Sequence, residues 1–340
     1  MTPATPATAA RSGMTEPGAA VTGWGTGVGE PLEVRGAKLA RAEAHGRTVA
    51  ELVQDPTAFA RRLHDAYADL AEPAYRQGQQ FVAPGIGATH GVRLPYQAAL
   101  WRTLRKATRG DSPAVLVLLA DRLLHEPELE ARWLAMAILE RTVLTDPERS
   151  WQLLRRAAAD AGDWITVDTL AHPMGVGILN QPHRWEELEQ LTISPSRWER
   201  RLVGSTIATI PSVDRRLGRA PDVARTALPL LALLMGDREP DVQKALAWAY
   251  RSMALVDLEA TTRALREEAQ TAVRTDDGQR AWVIRGAAAK LDPVVAAGLK
   301  AELAGIRRRP GAPSTSPAAE LATRFAGMGL GQPMPEPPLT

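Results

Sequence analysis

One short segment places an aromatic ring and a carboxylate where they can share one face of a helix. Trp164 and Asp168 are four residues apart, so on a helix they lie one turn apart on the same side. A carboxylate stabilises developing positive charge, and an indole face attracts a cation. The pair is therefore typical of a site that acts on a cationic group. Taken alone, the pattern is explained more simply by a packed tryptophan and an aspartate that caps the helix or pairs with an arginine.

Two later segments repeat the combination of a tryptophan with an arginine. Trp198 and Arg201 are three residues apart, as are Trp248 and Arg251, so each pair shares a helix face. Ordinary packing with the arginine stems along the surface explains each pair in isolation. If the three helices lie side by side, the carboxylate of Asp168 meets indole faces and arginines from separate parts of the chain.

The elements that would position these residues are helices throughout. Ala and Leu dominate the apolar residues, while there are only 3 Phe and 4 Tyr, which favours helices over strands. Apolar periodicity and turn residues predict paired helices that recur about every 35 to 50 residues, the signature of a HEAT-like solenoid. The fold class predicted is all-α, an α-α superhelix. The predicted helices are 48–70, 95–106, 114–124, 128–143, 147–160, 163–179, 183–192, 195–210, 221–235, 239–254, 258–274 and 279–291.

Composition divides the chain into three parts. Residues 1–45 are predicted to form a disordered or loosely structured extension, because their start is rich in Ala, Thr, Pro and Gly without apolar periodicity. The helical repeats occupy 46–305, and 306–340 is a Pro-rich tail that a short helix around 318–325 can interrupt. His172-Pro173 is interpreted as a helix interruption or a turn.

Overall charge says little about partners, because the net charge is only +2 with a pI near 9.1. One local cluster stands out between residues 197 and 219, with six arginines and two acidic residues. A basic surface exposed to solvent explains this cluster as well as a binding site for a polyanion does. There are no cysteines, no apolar run of 18 residues and no signal-peptide pattern, so a cytoplasmic protein is expected.

The ordered set of motifs resembles the AlkD family of DNA alkylation-repair glycosylases. The set is Trp-x-x-x-Asp, then Trp-x-x-Arg about 30 residues later, then Lys-Ala-x-x-Trp-x-x-Arg. The resemblance implies that the active site consists of Trp164, Asp168, Arg201 and Trp248. It also implies that Arg251 contacts the DNA backbone and that Arg201 holds a phosphate of the strand with the lesion. In that family the lesion stays within the duplex, so activity on bulky adducts is expected too.

The resemblance covers roughly residues 60 to 295 and is weaker upstream. Tyr75 through Gly85-Ile86 is similar to a Tyr-x-Lys…Phe-x-Gly segment of the family, and His125-Glu126 with Glu130-Ala131 is similar to its helix before the catalytic one. The chain departs from the family pattern at Ile165, where an aromatic or an acid is common, and at the inserted Pro84. These departures bear on lesion preference more than on the reaction.

The function implied is excision of alkylated purines from duplex DNA, without a cofactor or a metal, by a monomer associated with the nucleoid. The six histidines show no metal-ligand spacing. The alternatives are a protein that binds damaged DNA without cutting it and a HEAT-like scaffold that binds another protein. Contacts to DNA are expected from Arg197, Arg200, Lys244, Arg251, Tyr75, Arg215 and Arg216.

Overall fold

The computed structural model describes residues 31–312 and 315–321, and within them the chain forms α-helices and two short 3-10 turns but no strand. This confirms the all-α prediction. No helix in these ranges is long and apolar enough to cross a membrane. The helices are α1 (Leu32–Ala50), α2 (Pro56–Leu70), α3 (Pro73–Val82), α4 (Leu94–Ala107), α5 (Pro113–Leu124), α6 (Leu129–Thr142), α7 (Pro147–Ala159), α8 (Trp164–Asn180), α9 (Arg184–Gln190), α10 (Arg197–Val213), α11 (Pro221–Leu234), α12 (Pro240–Met253), α13 (Leu258–Thr275), α14 (Gly278–Ala287) and α15 (Pro293–Glu302).

Helix starts follow from two residue types. A proline has no N–H to lose at the first turn of a helix, and an aspartate before it accepts bonds from the free N–H groups. The side chains of five aspartates cap helices in this way, namely Asp55, Asp163, Asp257, Asp277 and Asp292. These two signals explain why most predicted starts lie within a few residues of the observed ones.

The helices form two rows. The second helices of successive pairs pack in the order α4, α6, α8, α10, α12 and α14, and we call them the second-helix row. Their partners α5, α7, α11, α13 and α15 form the first-helix row on the other side. Each pair buries its apolar face against its neighbours, which is the packing of a helical-repeat superhelix.

Glycines allow the closest approaches within the second-helix row. A Cβ at Gly204 in α10 would lie 3.0 Å from the Cβ of Ala245 in α12. A Cβ at Gly286 in α14 would lie 3.1 Å from the Cβ of Ala247 in α12. These two contacts fix the spacing of three neighbouring helices.

The N-terminal region differs from the prediction. The predicted helix 48–70 is two helices, because Asp55 caps a new helix at Pro56 and α1 ends at Ala50. Helix α1 also begins at Leu32, inside the range 1–45 that was predicted to be disordered or loosely structured, and it packs on α4. The rest of that range, 1–30, lies outside the described residues. Helices α3 and α15 were not predicted.

A second difference concerns Pro173, which the sequence suggested would interrupt a helix or form a turn. Helix α8 runs through it from Trp164 to Asn180. A proline inside a helix costs about 3 kcal/mol. Pro173 is buried in α8, and packing on the neighbouring helices outweighs that cost.

The chain after α15 returns across the last repeat as a strap, which we define as residues 306–312 with 315–318. Arg308 donates to Gln243 at 3.1 Å and lies 4.8 Å from the ring of Trp282. Thr315 accepts two hydrogen bonds from Arg280, and Ser316 donates to the carbonyl of Leu233 at 2.7 Å. The strap therefore covers the end of the helical array. Of the predicted helix 318–325, residues up to 321 are described and are helical.

Candidate active site

Helix α8 begins at the first predicted site residue because Asp163 caps it. The Asp163 carboxylate accepts from the Thr166 backbone N–H at 2.9 Å and from the Thr166 hydroxyl at 2.6 Å. The cap fixes the first turn of α8, so that Trp164 and Asp168 lie one turn apart on a helix whose start is defined.

The carboxylate of Asp168 is held by two residues of α10. Arg201 forms a two-bond fork, with Nε 3.1 Å from Oδ1 and the second guanidinium nitrogen 2.8 Å from Oδ2. The hydroxyl of Ser205 donates to Oδ1 at 2.6 Å. Asp168 is 7% exposed and Arg201 is 3% exposed. Three hydrogen bonds therefore fix a buried carboxylate in one orientation, with its charge balanced by a guanidinium.

The two tryptophans of the predicted site lie on the helices on either side of α10. Trp164 is in α8, and Trp248 is in α12; both are half-buried against the core. Gly204, next to Ser205, abuts Ala245, and Trp248 lies one turn beyond Ala245. Neighbouring helices of one row therefore carry Trp164, Asp168, Arg201 and Trp248, as the sequence predicted for side-by-side helices.

The role expected of Arg201 changes with this geometry. The sequence suggested that Arg201 holds a DNA phosphate. Its third guanidinium nitrogen donates to the Asp241 carbonyl at 2.7 Å, so all three nitrogens have partners within the protein. Arg201 orients the carboxylate of Asp168 in this structure and is only 3% exposed, so positioning Asp168 is the role that its contacts favour.

The predicted DNA contact Arg200 is likewise buried, on a different face of α10. Its Nε donates to Asp237 at 2.7 Å, and it also donates to the carbonyls of Ser194 and Pro195. Adjacent residues of a helix point about 100° apart, so Arg200 and Arg201 pair with aspartates from different repeats. Arg200 therefore joins two repeats instead of facing solvent.

The other predicted DNA contacts divide into exposed and engaged side chains. Arg251 donates to the Gly286 carbonyl at 3.0 Å. Tyr75 lies under the guanidinium of Arg93, and burial raises the pKa of Tyr75 to about 12. The exposed ones are Arg197, Lys244, Arg215 and Arg216.

A broad groove of about 1210 Å³ is lined by residues of α4, α5, α6, α8 and the end of α10. None of the four predicted catalytic residues lines it; Val176, which does, is eight residues beyond Asp168, about 12 Å along α8. The cationic side chains of the groove are Arg102, Arg105, Lys106, Arg109 and Arg141, against the acidic Glu140 and Asp214.

The groove cations were missed in the sequence, although a signal was present. Arg102 and Arg105 are one turn apart on α4, and Arg109 follows in the turn after this helix. Arg215 and Arg216, which were predicted to contact DNA, flank the groove next to Asp214 and are exposed. Ser205 was also missed; its position four residues after Arg201 puts both on the face of α10 that meets Asp168.

Comparison with known proteins gives one positive finding. No curated protein matches the chain. The family model described as DNA alkylation repair enzyme matches residues 65–291, more than half of the 340 residues, and this range includes all four predicted catalytic residues. The chain therefore belongs to the DNA alkylation repair enzyme family.

Proposed function

We propose that this protein is a DNA glycosylase that removes cationic N3- and N7-alkylated purines from duplex DNA and so initiates base excision repair. The single observation that carries the proposal is the buried carboxylate of Asp168, fixed by Arg201 and Ser205 between two helices that carry tryptophans. Membership of a DNA repair family supports DNA as the substrate class.

The chemistry required matches this set of residues. An alkylated purine already carries positive charge, so the bond between the sugar C1′ and the base nitrogen breaks with its electron pair going to the base, which leaves neutral. Positive charge then develops on the sugar, and a nearby carboxylate stabilises it. Water adds to C1′ and loses a proton, which leaves an abasic sugar. Asp168 supplies the negative charge and orients the water.

The tryptophans have a supporting role in this proposal. An indole face attracts a cationic sugar or base by about 0.5–2 kcal/mol. Trp164 and Trp248 are half-buried, so part of each ring is open to a ligand. The groove cations and the exposed Arg215 and Arg216 bind phosphates of the duplex, which positions the DNA without reading its sequence.

The test compares base release by the wild type with release by Asp168→Asn on methylated duplex DNA. We expect the wild type to release N3-methyladenine or N7-methylguanine, and the variant to be at least about tenfold slower because the fixed negative charge is lost. Release should be normalised to the folded fraction, because removing one partner of a buried ion pair destabilises a protein by about 3–5 kcal/mol.

The chain offers a matched control for that loss of stability. Asp237→Asn also removes a buried carboxylate that pairs with an arginine of α10, one residue before Arg201. We expect this variant, once normalised, to release base at close to the wild-type rate. Equal losses of base release in both variants would mean that Asp168 has only a structural role.

The non-catalytic alternative rests on a specific observation, since the Asp168 carboxylate already accepts three hydrogen bonds from Arg201 and Ser205. If the wild type releases no base but binds the methylated duplex in a salt-sensitive manner, the protein is a damage binder. If it does neither, a protein-binding scaffold is the better description.

The lesion range follows from the same proposal. We propose that the lesion stays within the duplex while the carboxylate acts at the sugar, as the resemblance to the AlkD family implies, so that no pocket has to enclose the base. Bulky N3 or N7 adducts should then be released at rates comparable to methyl adducts. Strict selectivity for methyl adducts would contradict this part of the proposal.

A further inference from the structure

A second cluster of chemically active side chains lies away from Asp168. His64 is in α2, His90 is in the loop before α4, and Glu128 immediately precedes α6. One ligand atom of each lies within 4.8 Å of those of the other two. His64 Nδ1 is 3.1 Å from His90 Nε2, and His64 Nε2 is 3.2 Å from Glu128 Oε2.

The residue types and spacing fit a zinc ion. Zinc binds imidazole nitrogen and carboxylate oxygen at about 2.0–2.2 Å in a tetrahedron, so its ligand atoms lie about 3.3 Å apart. The ligand nitrogens of His64 and His90 are 3.1 Å apart, close to this separation. The Glu128 carboxylate lies nearest to the other nitrogen of His64, Nε2, and within 4.8 Å of the ligand atoms, so it has to turn toward the ion to bind it. Two imidazoles select zinc over magnesium or calcium, which prefer oxygen ligands.

The surroundings supply the support that a ligating histidine needs. A metal-bound imidazole usually donates its second N–H to a carboxylate. Glu126 Oε2 lies 3.1 Å from His64 Nε2, so it accepts that N–H while Nδ1 faces His90. Arg122 pairs with Glu126, which balances its charge.

The loop that carries His90 is fixed in place. The buried carboxylate of Glu130 accepts from the backbone N–H groups of His90, Gly91 and Val92 at 2.8 to 3.1 Å. Gly91 has φ of +80°, a conformation that glycine adopts without strain. His90 is therefore presented to His64 by a rigid loop, which lowers the entropic cost of binding a metal.

From this geometry we infer a zinc site formed by His64, His90 and Glu128, with water in the fourth position. Without metal, the two imidazoles share a proton between His90 Nε2 and His64 Nδ1. With zinc, the same two atoms ligate the ion, and the site fastens α2 and the loop to the start of α6. Ligands 26 and 38 residues apart form no short motif, which explains why the sequence alone indicated no metal.

The same loop reaches the start of the candidate catalytic helix. A Cβ at Gly85 would lie 3.1 Å from the Gly162 carbonyl and 3.6 Å from the Asp163 Cβ. Asp163 caps α8. Zinc at His90 therefore restrains a segment that packs on the cap of α8, which makes the site structural and separate from the proposed chemistry at Asp168.

The experiment is calorimetric titration of the metal-stripped, untagged full chain with zinc chloride. We expect one zinc per chain and a rise in Tm on adding zinc but not magnesium. His64→Ala and His90→Ala should each weaken binding at least about tenfold, the scale seen for lost metal-site groups. His183→Ala, an exposed histidine after α8, is the matched control and should leave the affinity unchanged.

Far-UV circular dichroism checks that each variant is folded. Glu128→Gln tests the third ligand, because it removes the carboxylate charge but keeps the size of the side chain and leaves no cavity. Absence of saturable zinc binding by the wild type overturns the inference. So does binding that survives the loss of both His64 and His90, because the ion then sits elsewhere. Neither result depends on base release.

Discussion

At the scale of residues, the pair formed by Asp168 and Arg201 is more than a source of stability. Desolvating two charges costs several kcal/mol, and the attraction between them often does no more than offset this cost. The pair is also held from outside, because Ser205 donates to Oδ1 and Arg201 donates to the Asp241 carbonyl; one acceptor site on Oδ2 remains for a water. Such an arrangement holds a carboxylate at a fixed point, which is what electrostatic catalysis requires.

Substitution Arg201→Lys separates positioning from phosphate binding. A lysine keeps the charge but loses the two-bond fork, so the Asp168 carboxylate becomes free to turn. We expect kcat for base release to fall more than about tenfold, since removing one oriented group commonly costs that much. KM for DNA and its salt dependence should stay close to the wild-type values. Arg200→Lys is the control, with kcat unchanged after normalisation to folded protein.

A phosphate-binding Arg201 would give the opposite pattern in steady-state kinetics. KM would rise because lysine lacks the fork that binds a phosphate, while kcat would change little. Steady-state assays over a range of DNA concentrations distinguish the two outcomes.

The residue scale also shows where sequence analysis is sufficient and where it fails. Helical spacing and an ordered set of motifs were enough to predict that four residues lie on adjacent helices: Trp164, Asp168, Arg201 and Trp248. The distinct partners of Arg200 and Arg201 could not be predicted. Asp168 lies 33 residues before Arg201, and Asp237 lies 37 residues after Arg200, so the two partners belong to different repeats. Only the packed helices show which arginine faces which aspartate.

At the scale of elements, the site depends on how closely α8, α10 and α12 pack. Gly204 allows α10 to touch α12, and its neighbour Ser205 reaches Asp168 on α8. A change in the distance between α10 and α12 therefore also moves Trp248 relative to the carboxylate. The geometry of the site therefore depends on the spacing of these three helices.

Gly204→Ala tests this dependence. The added methyl group would lie 3.0 Å from backbone and side-chain atoms of Ala245, so α12 must move. Overpacking of this kind costs about 1–3 kcal/mol, which urea unfolding measures. Base release per folded molecule should fall as well.

The control for Gly204→Ala is Gly298→Ala in α15, where a Cβ meets no atom within 4 Å. An alanine in an open helix position is about 0.5–1 kcal/mol more favourable than glycine. We expect this variant to be slightly more stable with unchanged release. If Gly204→Ala is as stable and as active as Gly298→Ala, helix spacing does not control the site.

Most elements from α5 to α14 could be predicted, because a proline or a capping aspartate marks nearly every start. The prediction fails where apolar spacing continues across such a mark. Val49, Val53 and Phe59 are all buried, so the apolar pattern runs through the turn that the cap at Asp55 ends. Helix α3 was missed because its periodic apolar face is small: only Gln79 is buried in it.

At the scale of the whole molecule, a net charge of +2 conceals a local concentration of cations. The groove carries five cationic side chains and two acidic ones, next to Arg215 and Arg216. Duplex DNA neutralised by such a surface releases counterions, so its affinity falls as salt rises. The distribution of charge, and not its sum, indicates the partner.

The double substitution Arg105→Glu with Lys106→Glu tests the groove as the DNA surface. Each phosphate contact contributes about 0.9 to the slope of log K against log salt, so the slope should become shallower by about 2. Binding should weaken for every duplex alike, while release at saturating DNA stays unchanged, because both residues are remote from Asp168.

A matched control for the groove lies on the first-helix row. Arg263→Glu with Arg266→Glu makes the same change of charge on α13, where both side chains are exposed. Equal loss of affinity in the two double variants would mean that overall charge, and no particular surface, governs binding.

The strap has a consequence for the synthesis of the protein on the ribosome. Arg280 and Thr315 are 35 residues apart, so at about 5–20 residues per second a ribosome needs about 2–7 seconds to pass from one to the other. During that interval Arg280 lacks its bonds to Thr315, and the surface that Ile306 and Ser316 later cover is open to water. Each nascent chain therefore passes through a stage in which its last repeat is not yet covered, and that stage ends only when the strap has been synthesised.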